Sequence, residues 1–317
     1  MSQNLSQYAF NRLLQLFPVL FGVSVVTFLL MHVAPGGPAY ALLGVKATPE
    51  KVAQIRQQYN LNQPIYIQYL TWIWNVLHGD LGQSITRSRP VASLLVDRLP
   101  VSLSLAIFAM IISLTISIPA GIIGAVKKDQ LPDTIARVFA FWGISMPNFW
   151  LGILLILIFG VKLSVLPVYG YVSPFKDPIA GIKHLILPAI TLGTALAAIV
   201  TRMTRSSVVE ALNEDYIETA KAKGAPTTLI VLKHGLRNGL IPVVTIVGIQ
   251  LAYVLGGSVL VEQVFSLPGV GRLLISAVFQ RDFPVVQGVV LIYALIFVGT
   301  NLIVDLLYAI IDPTIQY

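Results

Sequence analysis

The stretch EALNEDYIETAKAKGAPTTLIVLKHGLRNGLIP, residues 210–242, decides the fold of this chain, because it is the only long charge-rich segment between two strongly apolar ones. Asp215 is placed to cap a helix N-terminus, and Glu218 then stands at the third helical position, which makes an acidic form of the capping box. We therefore predict a short helix over residues 216–223.

The end of this helix is marked as clearly as its start. Lys221 and Lys223 fall in its last turn, where positive charge suits the helix dipole. Gly224 can take the left-handed conformation that closes a helix, and Pro226 prevents continuation. A second helix is predicted to start at Thr227 or Thr228 and to run towards Asn238, so the segment forms a helix, a sharp turn and a helix on the water side of a membrane.

The composition places the chain in a membrane. Of its 317 residues, 56% are hydrophobic and only 11% are charged, whereas soluble proteins carry roughly 25% charged residues. The net charge of +7 does not indicate nucleic-acid binding, because the Lys and Arg residues are spread over loops between apolar runs, where they meet lipid headgroups. The absence of cysteine excludes disulfides, thiolate metal sites and a lipidated cysteine anchor.

Six apolar runs predict six membrane-spanning helices and an all-α integral membrane fold. The runs are residues 13–34, 101–126, 138–161, 185–201, 241–261 and 285–310. The first is longer than the apolar core of a secretory signal, so we interpret it as an uncleaved first span. We expect three parts: residues 1–34 with the first span, an external loop with interfacial helices at 35–100, and a five-helix core at 101–317.

Local signals add detail to this plan. A helix is predicted to start at Thr48 and Pro49 in the external loop. Pro147, inside the third run, removes a backbone donor and predicts a kink. Small residues recur at every fourth position of the fourth and fifth runs and predict close helix contacts there. They are Ala189, Gly193, Ala197 and Thr201, and then Gly248, Ala252 and Gly256.

Glu218, Ala220 and Gly224 resemble the E-A-A-x-x-x-G loop of the inner-membrane permease subunits of binding-protein-dependent ABC importers. Thr219 departs from that motif, which has Ala at its second position. In that family the loop forms a coupling helix that docks into a groove of a separate ATPase subunit.

The residues after the glycine narrow the resemblance to one branch of the family. Where the family's I-x-L-P is expected, only Leu236 matches. The run HGLRN at residues 234–238, followed by Ile241 and Pro242, instead resembles the dipeptide, oligopeptide and nickel branch.

The resemblance implies a type I ABC importer permease fold and assigns a role to residues 202–240, called here the coupling segment. Gly224 is implied to set the turn, and Glu218 to cap the helix and meet the ATPase. Small side chains at Ala220 and Ala222 let the helix approach its groove closely, and Tyr216 offers an amphipathic anchor. The implied coupling residues are Asp215, Tyr216, Glu218, Ala220, Ala222 and Gly224.

The resemblance also implies partners. These are a second, homologous permease subunit, two ATPase subunits that use ATP and Mg²⁺, and an extracytoplasmic substrate-binding protein. The chain itself is expected to be no enzyme and to bind no cofactor, metal or nucleic acid. It is expected in the lipid bilayer of a prokaryotic cytoplasmic (inner) membrane as a multi-pass protein.

We expect both termini in the cytoplasm. In that orientation the cytoplasmic segments hold ten Lys and Arg residues and the external segments eleven, which favours neither side. The external loop at residues 35–100 is long, however, and loops beyond roughly 60 residues translocate largely regardless of charge. Without it the count is ten against five, which gives modest support, and the resemblance fixes the orientation better.

The apolar runs contain few polar groups. Asp305 is the only clear ionisable residue inside a run, and a carrier driven by protons or sodium is expected to have more. Five neutral residues are candidates for the wall of a peptide path, although for any one of them hydrogen bonding between helices is favoured. They are Ser145, Asn148, Gln250, Tyr253 and Asn301.

We interpret the chain as half of the translocation path of an ATP-driven importer of di- and oligopeptides. One alternative is import of a nickel chelate or a glutathione-type solute by the same machinery. Another, of a different class, is an autonomous channel or secondary carrier that works without nucleotide. A membrane enzyme is remote, because no nucleophile–base or metal-ligand constellation is present.

Overall fold

The computed structural model of the chain describes residues 5–33, 37–43, 47–58 and 61–311. Over these ranges the regular structure is helical, with one isolated antiparallel bridge between Gln83 and Pro90. The helices are α1 Leu5–Val33, α2 Gly37–Leu43, α3 Pro49–Gln58, α4 Ile65–Leu77, α5 Val91–Val126, α6 Leu131–Ser145, α7 Asn148–Leu155, α8 Pro178–Leu212, α9 Asp215–Ala222, α10 Thr227–Leu229, α11 Leu236–Gly239, α12 Ile241–Val264, α13 Val270–Phe279 and α14 Phe283–Ile311. Two π-helical segments, Ile156–Lys162 and Ile230–Gly235, continue α7 and join α10 to α11.

The membrane-spanning helices agree with the six predicted runs. Within the described ranges, five helices are long and apolar enough to cross a bilayer, namely α1, α5, α8, α12 and α14. The pair formed by α6 and α7 with its π-helical end provides a sixth crossing if it is counted as one broken span. The prediction of an all-α membrane protein is therefore confirmed.

Helices α5 and α8 begin well before their predicted runs. Helix α5 begins at Val91 rather than at residue 101, because Val91, Leu94 and Leu95 are fixed in an apolar core with α13 and α14. Helix α8 covers Pro178–Leu212 rather than residues 185–201. The Asp177 side chain caps α8 by accepting a hydrogen bond from the Ala180 N–H at 3.0 Å, so this helix starts well before its apolar run.

The kink expected at Pro147 is a break. Helix α6 ends at Ser145, α7 begins at Asn148, and the two helix directions differ by 103°. Proline cannot donate to the preceding turn, which ends the hydrogen-bond ladder of α6. Helix α6 also begins before the third predicted run at residue 138, because Asp133 and Arg137 lie inside it.

The chain forms two compact units. Of the described residues, those in 103–267 and 300–311 form one unit, and those in 5–102 and 268–299 form the other. The three-part division by sequence at residues 34 and 100 remains a prediction.

Helix α8 is the centre of the first unit, where it packs against α6, α7 and α12. The small residues predicted for close contact on α8 are buried, and a Cβ added to Gly193 would lie 2.7 Å from the Ala109 carbonyl oxygen of α5. On α12, Gly248 and Ala252 are likewise buried. Gly256 is exposed with nothing within 4 Å of an added Cβ, so the predicted stripe does not extend to it.

In the second unit, a buried carboxylate holds the loop that precedes α5. Asp282 accepts hydrogen bonds from the Ser84 hydroxyl at 2.5 Å, the Ile85 N–H at 3.1 Å, and the Thr86 hydroxyl and N–H at 2.8 and 3.2 Å. Asp282 is fully buried, so these donors replace the water that its charge would otherwise bind.

The predicted start of α3 is also confirmed, since the Thr48 hydroxyl accepts a hydrogen bond from the Lys51 N–H at 3.4 Å and Pro49 is the first helical residue.

Candidate coupling site

The short helix predicted in the coupling segment is present as α9, but it starts differently. Asp215 is its first residue rather than its cap, and the capping position is taken by Glu214, whose side chain makes no capping hydrogen bond. Because the helix begins one residue early, Glu218 stands at its fourth position, where the reciprocal bonds of a capping box do not form. The predicted capping box is therefore wrong. Asp215 and Glu218 still place two negative charges in the first turn, which suits the dipole.

The end of α9 is as predicted. Gly224 has φ +75°, in the left-handed region. The Gly224 N–H donates to the Lys221 carbonyl at 2.9 Å, and the Ala225 N–H donates to the Ala220 carbonyl at 3.2 Å. These two bonds form a Schellman motif, which satisfies carbonyls that the last helical turn leaves without partners.

The second helix of the segment starts at Thr227, one of the two predicted starts, but its middle is π-helical. The π-helical segment Ile230–Gly235 connects α10 to α11. A Cβ added to Gly235 would lie 2.7 Å from Leu212 Cδ2, so this part of the chain packs tightly against the end of α8. The sequence does contain a signal that the prediction overlooked, since Gly235 and Gly239 are four residues apart and both are buried.

Two residues anchor α9 to the first unit. Ile217 is only 1% exposed and closes a recess of about 290 Å³ together with residues of α5, α8 and the second helix of the segment. The Tyr216 hydroxyl donates to the Ala211 carbonyl of α8 at 3.2 Å. Helix α9 is therefore held to the last turn of α8 on one side.

The opposite side of α9 is open. Asp215, Glu218 and Ala222 are exposed, and Ala220 is half-buried. Gly224 is exposed and has no atom within 4 Å of an added Cβ. The coupling residues implied by the resemblance thus lie on one short helix with a narrow anchored side and an accessible side that carries small and acidic side chains.

The five candidates for a path lie on four helices. Ser145 ends α6 and Asn148 begins α7, so these two flank the break at Pro147. Gln250 and Tyr253 lie on α12, and Asn301 lies on α14. Gln250 is buried and its side-chain nitrogen has no hydrogen-bond partner, whereas Tyr253 is 61% exposed. A path wall built from these residues stays a prediction.

The residue types that commonly bind metals do not form a cluster in the described part of the chain. In the part of the chain that the structure describes, no group of three or more His, Asp or Glu side chains is placed to hold a metal ion. Cysteine ligands do not arise, since the sequence has none.

Comparison with known proteins finds families of inner-membrane transport components, which agrees with the all-helical membrane fold. Residues 117–317 match the family described as "Binding-protein-dependent transport system inner membrane component", and residues 5–106 match its N-terminal companion family. The chain is 46% identical over 310 residues to the "Glutathione transport system permease protein GsiC" of Escherichia coli (strain K12), covering 98% of this chain and 99% of that protein. The protein of the same name from Shigella flexneri serotype 5b (strain 8401) is also 46% identical, with the same coverage.

Two solved structures share the fold at low sequence identity. One is an amino acid ABC transporter with histidines, at 16% identity and a TM-score of 0.52, which covers 68% of this chain and 94% of that one. The other is the MetNI methionine ABC transporter in an inward-facing conformation, at 21% identity and a TM-score of 0.53, which covers 69% and 96%. With two family matches along almost the whole length and relatives of equal length, this chain belongs to the binding-protein-dependent transport family, as a multi-pass inner-membrane permease of an ABC importer.

Proposed function

We propose that this chain forms half of a translocation path for short peptide-like solutes and that α9 is its docking helix for an ATPase subunit. The observation that carries the proposal is the geometry of α9, which is fixed to α8 by Ile217 and Tyr216 and open on its other side. A helix that passes a displacement from a partner to its own subunit needs a rigid contact with that subunit and an accessible surface for the partner.

The exposed surface of α9 suits a close protein contact. Ala220 and Ala222 add little bulk, so a partner can approach the backbone, while Asp215 and Glu218 offer carboxylates to basic groups of that partner. The turn at Gly224 redirects the chain immediately after α9, so the next segment leaves the exposed surface of α9 accessible. The complete importer then contains this chain, a second homologous permease, two ATPase subunits that use ATP and Mg²⁺, and an extracytoplasmic binding protein.

The cargo that we propose is a small peptide of the glutathione kind. Its support is the 46% identity over almost the whole chain to permeases named for glutathione transport. Neutral polar side chains in the spans, of which Gln250 is buried with an unsatisfied nitrogen, offer hydrogen bonds to peptide groups without a fixed charge that would retain the cargo.

Co-purification and uptake test the proposal. The chain would be tagged at its C-terminus, extracted in mild detergent from its native cells and analysed by mass spectrometry. Two ATPase chains, a second six-span permease and a binding protein encoded with them are expected. Cells lacking this chain are expected to lose uptake of labelled glutathione, and an excess of unlabelled dipeptide or nickel chelate then ranks the cargo classes by competition.

Recovery of this chain alone would contradict the proposal, provided that the isolated homo-oligomer moves solute without ATP. If the partners are found but only dipeptides or a nickel chelate compete for uptake, the assembly stands and the glutathione assignment falls.

A further inference from the structure

A buried ion pair joins α6 to α8 close to the coupling segment. The Asp133 side chain is fully buried in the first turn of α6, and the Arg205 side chain of α8 is 20% exposed. The Arg205 Nε donates to one carboxylate oxygen of Asp133, and its terminal nitrogen donates to the other at 2.8 Å. Two parallel bonds of this kind fix both the distance and the relative orientation of the groups.

Both carboxylate oxygens of Asp133 have further partners. The Asp129 N–H donates to one oxygen at 2.9 Å, from the turn between α5 and α6. The Nε of Arg137, one helical turn further along α6, lies 3.6 Å from the other oxygen. The pair thus connects the end of α5, the start of α6 and the last part of α8.

Tight packing leaves this junction little freedom. A Cβ added to Gly124 of α5 would lie 3.3 Å from Ala136 Cβ, 3.6 Å from the Asp133 carboxylate and 3.7 Å from Arg205 Cδ. The other end of the contact between α6 and α8 is closer still, since a Cβ added to Gly143 would lie 2.7 Å from Ala198 Cβ. Helix α6 is therefore held against α8 at both of its ends.

The pair formed by α6 and α8 connects two parts of the proposed transport machinery, namely α9 and the break at Pro147. Arg205 lies two turns before Leu212, where α8 ends, and α9 follows after two residues and is bonded back to α8 through Tyr216. Helix α6 ends at Ser145, directly before the 103° break at Pro147. A displacement of α9 that carries α8 with it reaches the α6 side of this break if α6 moves together with α8.

We infer that Asp133 and Arg205 are positioning residues of the transport cycle, which make α6 and α8 move as one body between the docking helix α9 and the break at Pro147. Stability alone is a weak explanation for such a pair, because buried ion pairs can often be replaced by apolar residues of similar volume without loss of stability. Their best-attested role is to select one arrangement of the elements that they join. The inference rests on the proposed coupling role of α9.

The decisive variant replaces both charges and keeps the volume. The double substitution Asp133→Leu with Arg205→Met would be reconstituted in proteoliposomes as the full importer complex, and both ATP hydrolysis and cargo uptake would be measured. We expect the variant to assemble and hydrolyse ATP but to move about tenfold less cargo per ATP, which is within the usual range of coupling between sites. The matched control is Lys183→Gln, which removes an exposed positive charge from the other end of the same helix, outside the coupling segment, and is expected to behave as the parent chain.

A distance measurement separates positioning from simple packing. Because the chain has no cysteine, spin labels can be attached to cysteines introduced at the exposed residues Ile135 of α6 and Glu214 before α9. The distance distribution between the labels is expected to broaden in the double variant and to stay narrow in the Lys183→Gln control. If the double variant fails to assemble, Asp133→Asn replaces it, since the amide keeps the shape of the side chain and can still accept from the Asp129 N–H.

Normal transport per ATP in the double variant, or in Asp133→Asn, would overturn the inference. A parent complex that shows no ATP-driven uptake at all would instead contradict the proposed function, so the two failures are distinguishable.

Discussion

Gly224 closes α9 with a backbone conformation that few other residues adopt. An L-residue in the left-handed region costs roughly 1–2 kcal/mol, and a β-branched residue resists it most. The space around Gly224 is open, so a substitution acts through the backbone alone. We predict that Gly224→Val leaves the chain inserted and assembled but raises the ATP hydrolysed per cargo molecule, measured in proteoliposomes.

The control for this prediction is Gly224→Asn. Asparagine tolerates the left-handed region far better than valine, and its side chain meets no neighbour at this position. Transport per ATP should then stay near the parent level. Equal transport by the Val variant would contradict the assignment of Gly224 to coupling.

Asp282 is the residue on which the loop before α5 depends. Its carboxylate accepts four hydrogen bonds from Ser84, Ile85 and Thr86 while fully buried. Replacement by asparagine removes the charge and turns one acceptor into a donor that faces the donors of the loop. We predict that Asp282→Asn lowers the free energy of unfolding by about 1–3 kcal/mol, seen as a lower unfolding temperature in detergent.

Asp97→Asn is the matched control for Asp282. Asp97 pairs with Arg89 at 3.0 Å, but its side chain is 55% exposed, and surface ion pairs contribute about 0–1 kcal/mol. Its unfolding temperature should therefore stay close to that of the parent chain. A similar loss in both variants would mean that burial of Asp282 does not decide its importance.

At the scale of elements, α5 and α8 approach closely at Gly121. A Cβ added there would lie 2.5 Å from Thr204 Cβ and 2.9 Å from the Thr201 carbonyl oxygen, so the helices must separate to admit a methyl group. Forced overpacking costs typically 1–3 kcal/mol. We predict that Gly121→Ala lowers the unfolding temperature of the purified protein.

Gly256→Ala tests whether the effect at Gly121 comes from this contact. Gly256 lies in α12 with nothing within 4 Å of an added Cβ, so alanine should be neutral or slightly stabilising there. If both variants melt alike, the close approach of α5 and α8 does not control stability.

At the scale of the whole molecule, α6 and α7 with its π-helical end either cross the membrane once or enter and return on the same side. Six crossings follow from the first arrangement and five from the second. Exposed residues flank the pair, with Lys128 before it and Lys176 after it. We predict that single cysteines at these two positions react with a membrane-impermeant maleimide from opposite sides.

The expected orientation makes the label pattern specific. A cysteine at Lys176 should react in intact cells, and one at Lys128 only after permeabilisation, because both termini are expected in the cytoplasm. Cysteines at Lys223 and Arg281 are exposed reference positions for the two sides. Reaction of positions 128 and 176 from the same side would show a re-entrant pair and contradict the six-span topology.

The sequence by itself determined the membrane class, the six apolar runs and the end of α9. Each depends on local chemistry, because twenty or so apolar residues require a bilayer, and Gly224 followed by Pro226 can only end a helix. The start of α9 was predicted wrongly by one residue, since several neighbouring acidic residues compete for the cap and the sequence does not rank them.

Only the tertiary structure decided which distant residues act together. Asp133 and Arg205 are 72 residues apart, Ser84 and Asp282 are 198 apart, and neither pair has a local pattern that would connect them. The early start of α5 likewise depends on burial of Val91, Leu94 and Leu95 against α13 and α14. Buried charges and helix extensions are fixed by the partners that packing supplies, and those partners are known only once the helices are placed.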